Sequence, residues 1–106
     1  MFDKITPKEF LLYKESEKNW QLLDVREEWE VNIVSVKDAI HIPMSEIFSK
    51  KTELDLKKPV AVLCHSGVRS AKVSEILVDE GFKKVANIEG GIDAWSEQID
   101  SSLPRY

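Results

Sequence analysis

Short apolar stretches recur along the chain and alternate with polar segments. They cover residues 20–25, 39–43, 59–64 and 84–88. Runs of this length that contain Val and Ile are typical of buried strands rather than of long helices. The second stretch ends at a proline, which cannot continue a strand ladder. We therefore predict four strands, of which residues 59–64 form the most apolar.

Helical patterns fill the intervals between these stretches. Thr6-Pro7-Lys8-Glu9 has the composition of a capping box with proline at the first helical position, and predicts a helix from residue 7 to between residues 14 and 16. Residues 67–80 place Val73, Ile76 and Leu77 on one helical face, and Gly81 follows as a candidate C-cap. These are the two clearest helices of the sequence.

Shorter helical segments are also expected. Residues 26–30 are charged and favour a helical turn, and Ser45 is positioned to cap a helix that reaches Lys50. The Gly90-Gly91 pair is most simply a turn before a last helix over residues 92–98.

The alternation of strands and helices predicts the fold class. It favours a single α/β domain over residues 1–106, with a central, mostly parallel sheet flanked by helices on both faces. Loops that follow parallel strands lie at one edge of such a sheet, where ligands usually bind.

Composition narrows the classes of partner. Of the 106 residues 42% are apolar and 32% charged, and the net charge of −4 provides no basic surface for nucleic acid. No apolar run approaches the length of a membrane span, and residues 1–6 lack the pattern of a signal peptide. A lone cysteine forms no internal disulfide. We expect a cytoplasmic protein that binds neither membranes nor nucleic acid.

That cysteine, Cys64, stands where the most apolar strand meets the clearest helix. The first turn of a helix presents unpaired N–H groups and a positive dipole end, which favour a thiolate. Gly67 allows a backbone conformation in which the loop amides curl inward, and Arg69 adds a positive charge. This arrangement suits a nucleophile that carries a covalent intermediate.

Two other interpretations of Cys64 stay open. It could be a buried structural cysteine, as many free cysteines are. It could also belong to a cysteine phosphatase, which uses a similar loop. Four residues separate Cys64 from Arg69, one fewer than in phosphatase loops, and a tighter ring favours one extra sulfur over a phosphate group.

Four segments in order resemble the rhodanese-type sulfurtransferases, specifically the small single-domain kind. One departure lies at residues 34–39, where members often carry a Gly-His-Ile-like triplet before a Gly-Ala pair. The matching segments are Leu22-Leu23-Asp24-Val25-Arg26-Glu27, Ala39-Ile40-His41-Ile42-Pro43, Cys64-His65-Ser66-Gly67-Val68-Arg69-Ser70, and Gly81-Phe82 with Val85 and Glu89-Gly90-Gly91-Ile92-Asp93-Ala94-Trp95.

The resemblance implies a sulfur relay through a persulfide on Cys64, without a cofactor. The donor would be thiosulfate or a persulfide, the acceptor cyanide or a thiol, and a persulfide-carrying protein could be a partner. The alternatives are a phosphatase or arsenate reductase and a non-enzymatic regulatory domain of the same fold, although the latter often lack the cysteine. The substrate-binding residues would be His65, Ser66, Gly67, Val68, Arg69 and Ser70, with Arg69 either orienting the donor or holding the loop.

Several nearby residues have simpler expected roles. Asp24 could brace the cysteine loop by accepting its hydrogen bonds, or could cap the turn that follows. Arg26 is expected to pair with Glu30, four residues on. His41 is expected to be structural, and His65 to shape the pocket mouth rather than to act as a base.

Two further expectations concern metals and tryptophans. One cysteine and two scattered histidines make a poor zinc set, so no metal site is expected. Trp20, Trp29 and Trp95 are expected to pack in or near the core, whereas Phe48 and Val68 could line a pocket rim.

Overall fold

Strands and helices alternate along residues 2–106, the part of the chain that the computed structural model describes. Turns of 3₁₀ helix at Met44–Glu46 and Lys51–Glu53 flank the third helix. The strands are β1 (Asp3–Ile5), β2 (Gln21–Asp24), β3 (Ile40–His41), β4 (Val60–Leu63) and β5 (Val85–Ile88), and the helices are α1 (Pro7–Ser16), α2 (Glu28–Ile33), α3 (Ile47–Lys50), α4 (Val68–Asp79) and α5 (Gly91–Gln98).

The strands form one sheet in the order β1-β5-β4-β2-β3, and every pair is parallel. The predicted α/β fold with a central parallel sheet is therefore confirmed. Strand β1 was not predicted, because its three residues include the exposed Asp3 and Lys4 and pair only with β5 at the edge of the sheet. Strand β4 lies in the middle, with all of its residues buried.

Successive residues of β4 face opposite sides of the sheet. Val60 and Val62 belong to one buried cluster, together with Val73 and Leu77 of α4. Ala61 belongs to the other, which contains residues of α1 and α5. Helices thus cover both faces, as the sequence predicted.

The ends of the helices follow local signals in most cases. Thr6 forms the predicted capping box with Glu9, and Gly81 has the left-handed backbone typical of a C-terminal cap, with φ of +98°. Ser45 does not cap α3, because it lies inside the 3₁₀ turn and Glu46 occupies the N-cap without a side-chain bond.

The tryptophans divide between core and surface. Trp20 and Trp95 are buried as expected, but Trp29 is 61% exposed, so its assignment to the core is wrong. It lies on the short helix α2, whose buried residue is Glu30. Within residues 2–106, no helix combines the length and apolarity needed to cross a bilayer.

Candidate active site

Cys64 follows the last residue of β4 and is almost fully buried. Its Sγ accepts the backbone N–H of Gly67 at 3.0 Å. Gly67 is the N-cap of α4 and has a φ of +106°, so the predicted left-handed turn is present. The turn folds the loop back so that the N-cap residue of α4 contacts the sulfur.

Backbone N–H groups at the start of α5 donate hydrogen bonds to the carbonyls of the cysteine loop, residues 64–70. The N–H of Ile92 donates to the carbonyl of Cys64 at 2.8 Å, and the N–H of Asp93 donates to the carbonyl of His65 at 3.1 Å. Since N–H and C=O point in opposite directions across a trans peptide, the amides that follow these carbonyls face away from α5. The N–H groups of His65 and Ser66 therefore lie on the side of the loop opposite to α5.

This contact needs a glycine at position 91. Gly91 has a φ of +58°, and a Cβ there would lie 2.4 Å from the carbonyl oxygen of Cys64 and 2.5 Å from that of His65. The interpretation of Gly90-Gly91 as a mere turn is therefore incomplete. Only a residue without a side chain lets α5 approach the loop this closely.

A buried polar pair braces the loop from β5. The Asn87 side-chain amide donates to the carbonyl of Gly67 at 3.2 Å, and the Ser70 hydroxyl donates to Asn87 Oδ1. Ser70 is fully buried, and its hydroxyl supports the loop. Its contact with substrate, expected through the backbone N–H, stays a prediction. Asn87 was missed because it lies in an otherwise apolar strand.

Arg69 is paired with a carboxylate from α2. Its Nη1 and Nη2 donate to the two oxygens of Glu30 at 2.6 and 2.7 Å. The hydrogen bond from Arg69 lowers the pKa of Glu30 to about 2 despite its burial. The expected side-chain pair between Arg26 and Glu30 is therefore wrong, because the fold brings Glu30 to Arg69 instead.

Arg26 and Asp24 form a separate buried ion pair. Nη2 of Arg26 lies 2.7 Å from Oδ2 of Asp24, and both side chains are nearly inaccessible. Another bond runs from Nη2 to the carbonyl of Val34 at 2.7 Å. Asp24 thus binds the guanidinium two residues on and does not brace the cysteine loop as predicted, because the Arg26 side chain folds back over its carboxylate.

Tyr106 links the two ion pairs, Arg26–Asp24 and Arg69–Glu30, through its hydroxyl. Its hydroxyl donates to Glu30 Oε2 at 2.7 Å and accepts from Arg26 Nη1 at 3.1 Å. Burial raises the pKa of Tyr106 to about 12. Its ring stacks on His65 with the centroids 4.0 Å apart and the planes at 16°. The sequence gives no signal for this residue, which lies far along the chain from its partners.

The remaining predicted residues lie at the surface or in structural positions. Ser66 and Val68 are exposed beside the cysteine. His65 is half-buried against the ring of Tyr106, and its role in shaping a pocket mouth stays a prediction. His41 has a structural contact, since its Nε2 lies 2.7 Å from the carbonyl of Arg26.

Chemically, the arrangement places a single buried cysteine sulfur beside backbone amides at the start of α4. The sulfur already accepts one amide N–H, and the first turn of α4 supplies further N–H groups without partners inside the helix. Such donors stabilise negative charge on sulfur. A group that reacts here must be small, because the cysteine is 1% exposed.

Comparison with known proteins agrees with this geometry. A family model described as "Rhodanese-like domain" matches residues 6–98. The Bacillus subtilis protein named "Putative sulfurtransferase YtwF" is 42% identical over 81 residues, which are 76% of this chain and 78% of that protein. "Thiosulfate sulfurtransferase GlpE" of Coxiella burnetii is 31% identical over 81 residues, 76% of each chain.

Some relatives are longer than this chain. "Putative sulfur carrier protein YrkF" of Bacillus subtilis is 31% identical over 86 residues, which are 81% of this chain and 46% of that protein. Among solved structures, a rhodanese-like domain protein from Staphylococcus aureus superimposes with a TM-score of 0.82 at 34% identity, covering 99% of both chains. The family model covers most of this chain, and the YtwF protein matches three quarters of it. The chain therefore belongs to the rhodanese-like domain family.

Proposed function

We propose that this protein is a sulfurtransferase that moves a sulfane sulfur from a donor to a nucleophilic acceptor through a persulfide on Cys64. The observation that carries the proposal is the bond from the Gly67 N–H to the Cys64 sulfur at 3.0 Å, at the start of α4. Amides placed this way stabilise negative charge on the sulfur during attack on the donor, and the same amides stabilise the charge once an outer sulfur is added.

The first step loads the cysteine. The Cys64 thiolate attacks the outer sulfur of thiosulfate, an S–S bond forms, and the S–S bond of the donor breaks as sulfite leaves with its electron pair. A persulfide donor reacts in the same way and releases a thiolate. In the second step, cyanide or a thiolate attacks the outer sulfur of the Cys64 persulfide, and the original thiolate returns. Neither step needs a cofactor or metal.

The names of relatives support sulfur transfer in general. One is named as a thiosulfate sulfurtransferase and another as a sulfur carrier protein. We therefore propose that the donor is thiosulfate or a small persulfide, and that the acceptor is cyanide, a thiol or a persulfide-carrying protein.

The size of the loop distinguishes this reaction from phosphate or arsenate chemistry. Four residues lie between Cys64 and Arg69, and both Nη atoms of Arg69 are bound to Glu30. A phosphoryl group needs several converging donors around its oxygens. This loop offers fewer N–H donors than a phosphatase loop, which is one residue longer, and its Arg69 is already paired with Glu30.

Intact-mass measurement tests the proposal. The protein is incubated with thiosulfate or with glutathione persulfide, and we expect a gain of one sulfur atom that cyanide removes as thiocyanate. Cys64→Ser should show no gain, whereas Ser101→Ala, a substitution at an exposed serine outside the loop, should retain it. Absence of any sulfur adduct with either donor, or hydrolysis of an aryl phosphate that depends on Cys64, would overturn the proposal.

A further inference from the structure

The charge of Arg69 is cancelled at the place where an anionic donor would arrive. Glu30 binds Arg69 through both of its oxygens and is itself 3% exposed. Resting on the proposed function, we propose that Glu30 is a specificity-determining residue that makes the site favour sulfur donors with one negative charge over dianionic donors such as thiosulfate.

Glu30 is held firmly in this position. In addition to Arg69, its Oε2 accepts the Tyr106 hydroxyl at 2.7 Å and its Oε1 accepts the backbone N–H of Glu27 at 2.9 Å. Turning the carboxylate away from Arg69 would break several charge-assisted bonds and leave a buried charge without its partner. The carboxylate therefore stays with Arg69 and stays ionised at neutral pH.

The other arginine of the network offers no spare charge either. Arg26 is inaccessible and its guanidinium is bound to Asp24. With Cys64 as a thiolate, these two ion pairs and the sulfur together carry one net negative charge. A donor must approach a thiolate beside an Arg69 whose charge Glu30 already neutralises, so each additional negative charge on the donor is penalised.

A matched pair of donors isolates the effect of charge. Thiosulfate is a dianion, and methanethiosulfonate is a monoanion in which a methyl group replaces one oxygen. Both give up their terminal sulfur to the Cys64 thiolate, which becomes a persulfide, while sulfite or methanesulfinate leaves with the electron pair of the broken S–S bond. The intrinsic reactivities of the donors differ, so the quantity to follow is the change in their kcat/KM ratio between variants.

The key variant is Glu30→Gln, which removes the charge while the amide oxygen can still accept the Glu27 N–H, as glutamine does in a capping box. We expect the ratio for thiosulfate over methanethiosulfonate to rise about tenfold, the size expected when a nearby charge of the same sign is removed from a partly buried site. The change should appear mainly in KM, because Glu30 acts on binding. Glu30→Asp keeps the charge and should preserve the wild-type ratio.

Two controls separate charge at the site from other effects. Glu17→Gln removes a carboxylate that is paired with Lys84 at the surface and should leave the ratio unchanged. In the unaltered protein, added salt should raise the relative rate with thiosulfate, because it screens repulsion of the dianion more than that of the monoanion; this measurement does not depend on any variant being folded.

The outcomes are separable. If neither donor loads Cys64, the proposed function fails. If both donors load it and the ratio is the same in Glu30→Gln, Glu30→Asp and the unaltered protein, or if the ratio in the unaltered protein is independent of salt, only the role of Glu30 in donor selection is refuted.

Discussion

Replacing Gly91 by alanine is expected to weaken the cysteine loop as well as the fold. The Cβ of alanine would lie 2.4 Å from the carbonyl oxygen of Cys64 and 2.5 Å from that of His65. Both neighbours are backbone atoms, which cannot rotate away as a flexible side chain could. The first turn of α5 must therefore retreat from the loop.

The free-energy cost has two parts. A left-handed backbone costs an alanine about 1–2 kcal/mol. Retreat of α5 weakens the bonds from the amides of Ile92 and Asp93 to the loop carbonyls. Each bond is worth ~1 kcal/mol, so partial to full loss of both adds about 1–2 kcal/mol. The sum is about 2–4 kcal/mol, which a domain with a stability of about 5–15 kcal/mol survives at 25 °C.

The chain offers a matched control in Gly81. Its φ is +98°, but a Cβ there would meet nothing closer than a side-chain methyl of Leu56 at 4.0 Å. Gly81→Ala therefore costs the free energy of a left-handed backbone but causes no steric clash. Gly81 also lies at the end of α4 that is far from Cys64. We expect it to lower the free energy of unfolding and to leave sulfur loading of Cys64 unchanged.

Urea unfolding and the rate of persulfide formation measure the two effects. Gly91→Ala should be less stable than Gly81→Ala by about 1–2 kcal/mol, the share of the two weakened bonds, and should load sulfur at least several-fold more slowly. If the two variants are equally stable and load sulfur equally fast, the close approach of α5 does not shape the loop and the reasoning is refuted.

Three further predictions concern the buried polar groups. Arg26→Met should lower the free energy of unfolding by about 3–5 kcal/mol in urea titrations, because it leaves Asp24 as an unpaired buried charge; a loss below ~1 kcal/mol would contradict this. The pKa of Glu30 is lowered from 4.5 to about 2 in the folded state, so its ionised form contributes ~3 kcal/mol to stability above pH 4.5, and this contribution is lost as the pH falls towards 2. The free energy of unfolding, measured across this pH range, should therefore fall less steeply with acid in Glu30→Gln than in the unaltered protein. An equal slope in both proteins would refute this prediction. Asn87→Ala should cost about 1–3 kcal/mol and slow sulfur loading, because it removes the donor to the Gly67 carbonyl; unchanged loading would show that the loop does not need this brace.

Local signals explain why much of the fold could be predicted. The capping box at Thr6 and the left-handed glycines at positions 67 and 81 act within a few residues of themselves. The apolar stretches identified four of the five strands, whereas β1 escaped detection because its two exposed charged residues leave no apolar pattern. Cys64 and its loop were recognisable for the same reason, since strand, turn and helix start are consecutive in sequence.

The partners of the charged residues could not be predicted in this way. Spacing of four residues suggested that Arg26 would bind Glu30, but Glu30 binds Arg69, which is 39 residues away. The Tyr106 hydroxyl reaches Glu30 across 76 residues. Such pairs depend on which elements the fold places side by side, and no local pattern encodes that choice.

The sequence alone thus determined the order of most elements, the position of Cys64 and the backbone conformation around it, because these depend on neighbouring residues and on apolar periodicity. The tertiary structure decided what surrounds the Cys64 loop: the neutralised Arg69, the brace from Asn87 and the approach of Gly91. These depend on the parallel register, which sets Asn87 of β5 opposite Val62 of β4, and on the contacts of α2 with Arg69 and of α5 with the cysteine loop. Charges and hydrogen bonds act over a few ångströms, and only the folded chain brings residues so distant in sequence within that range.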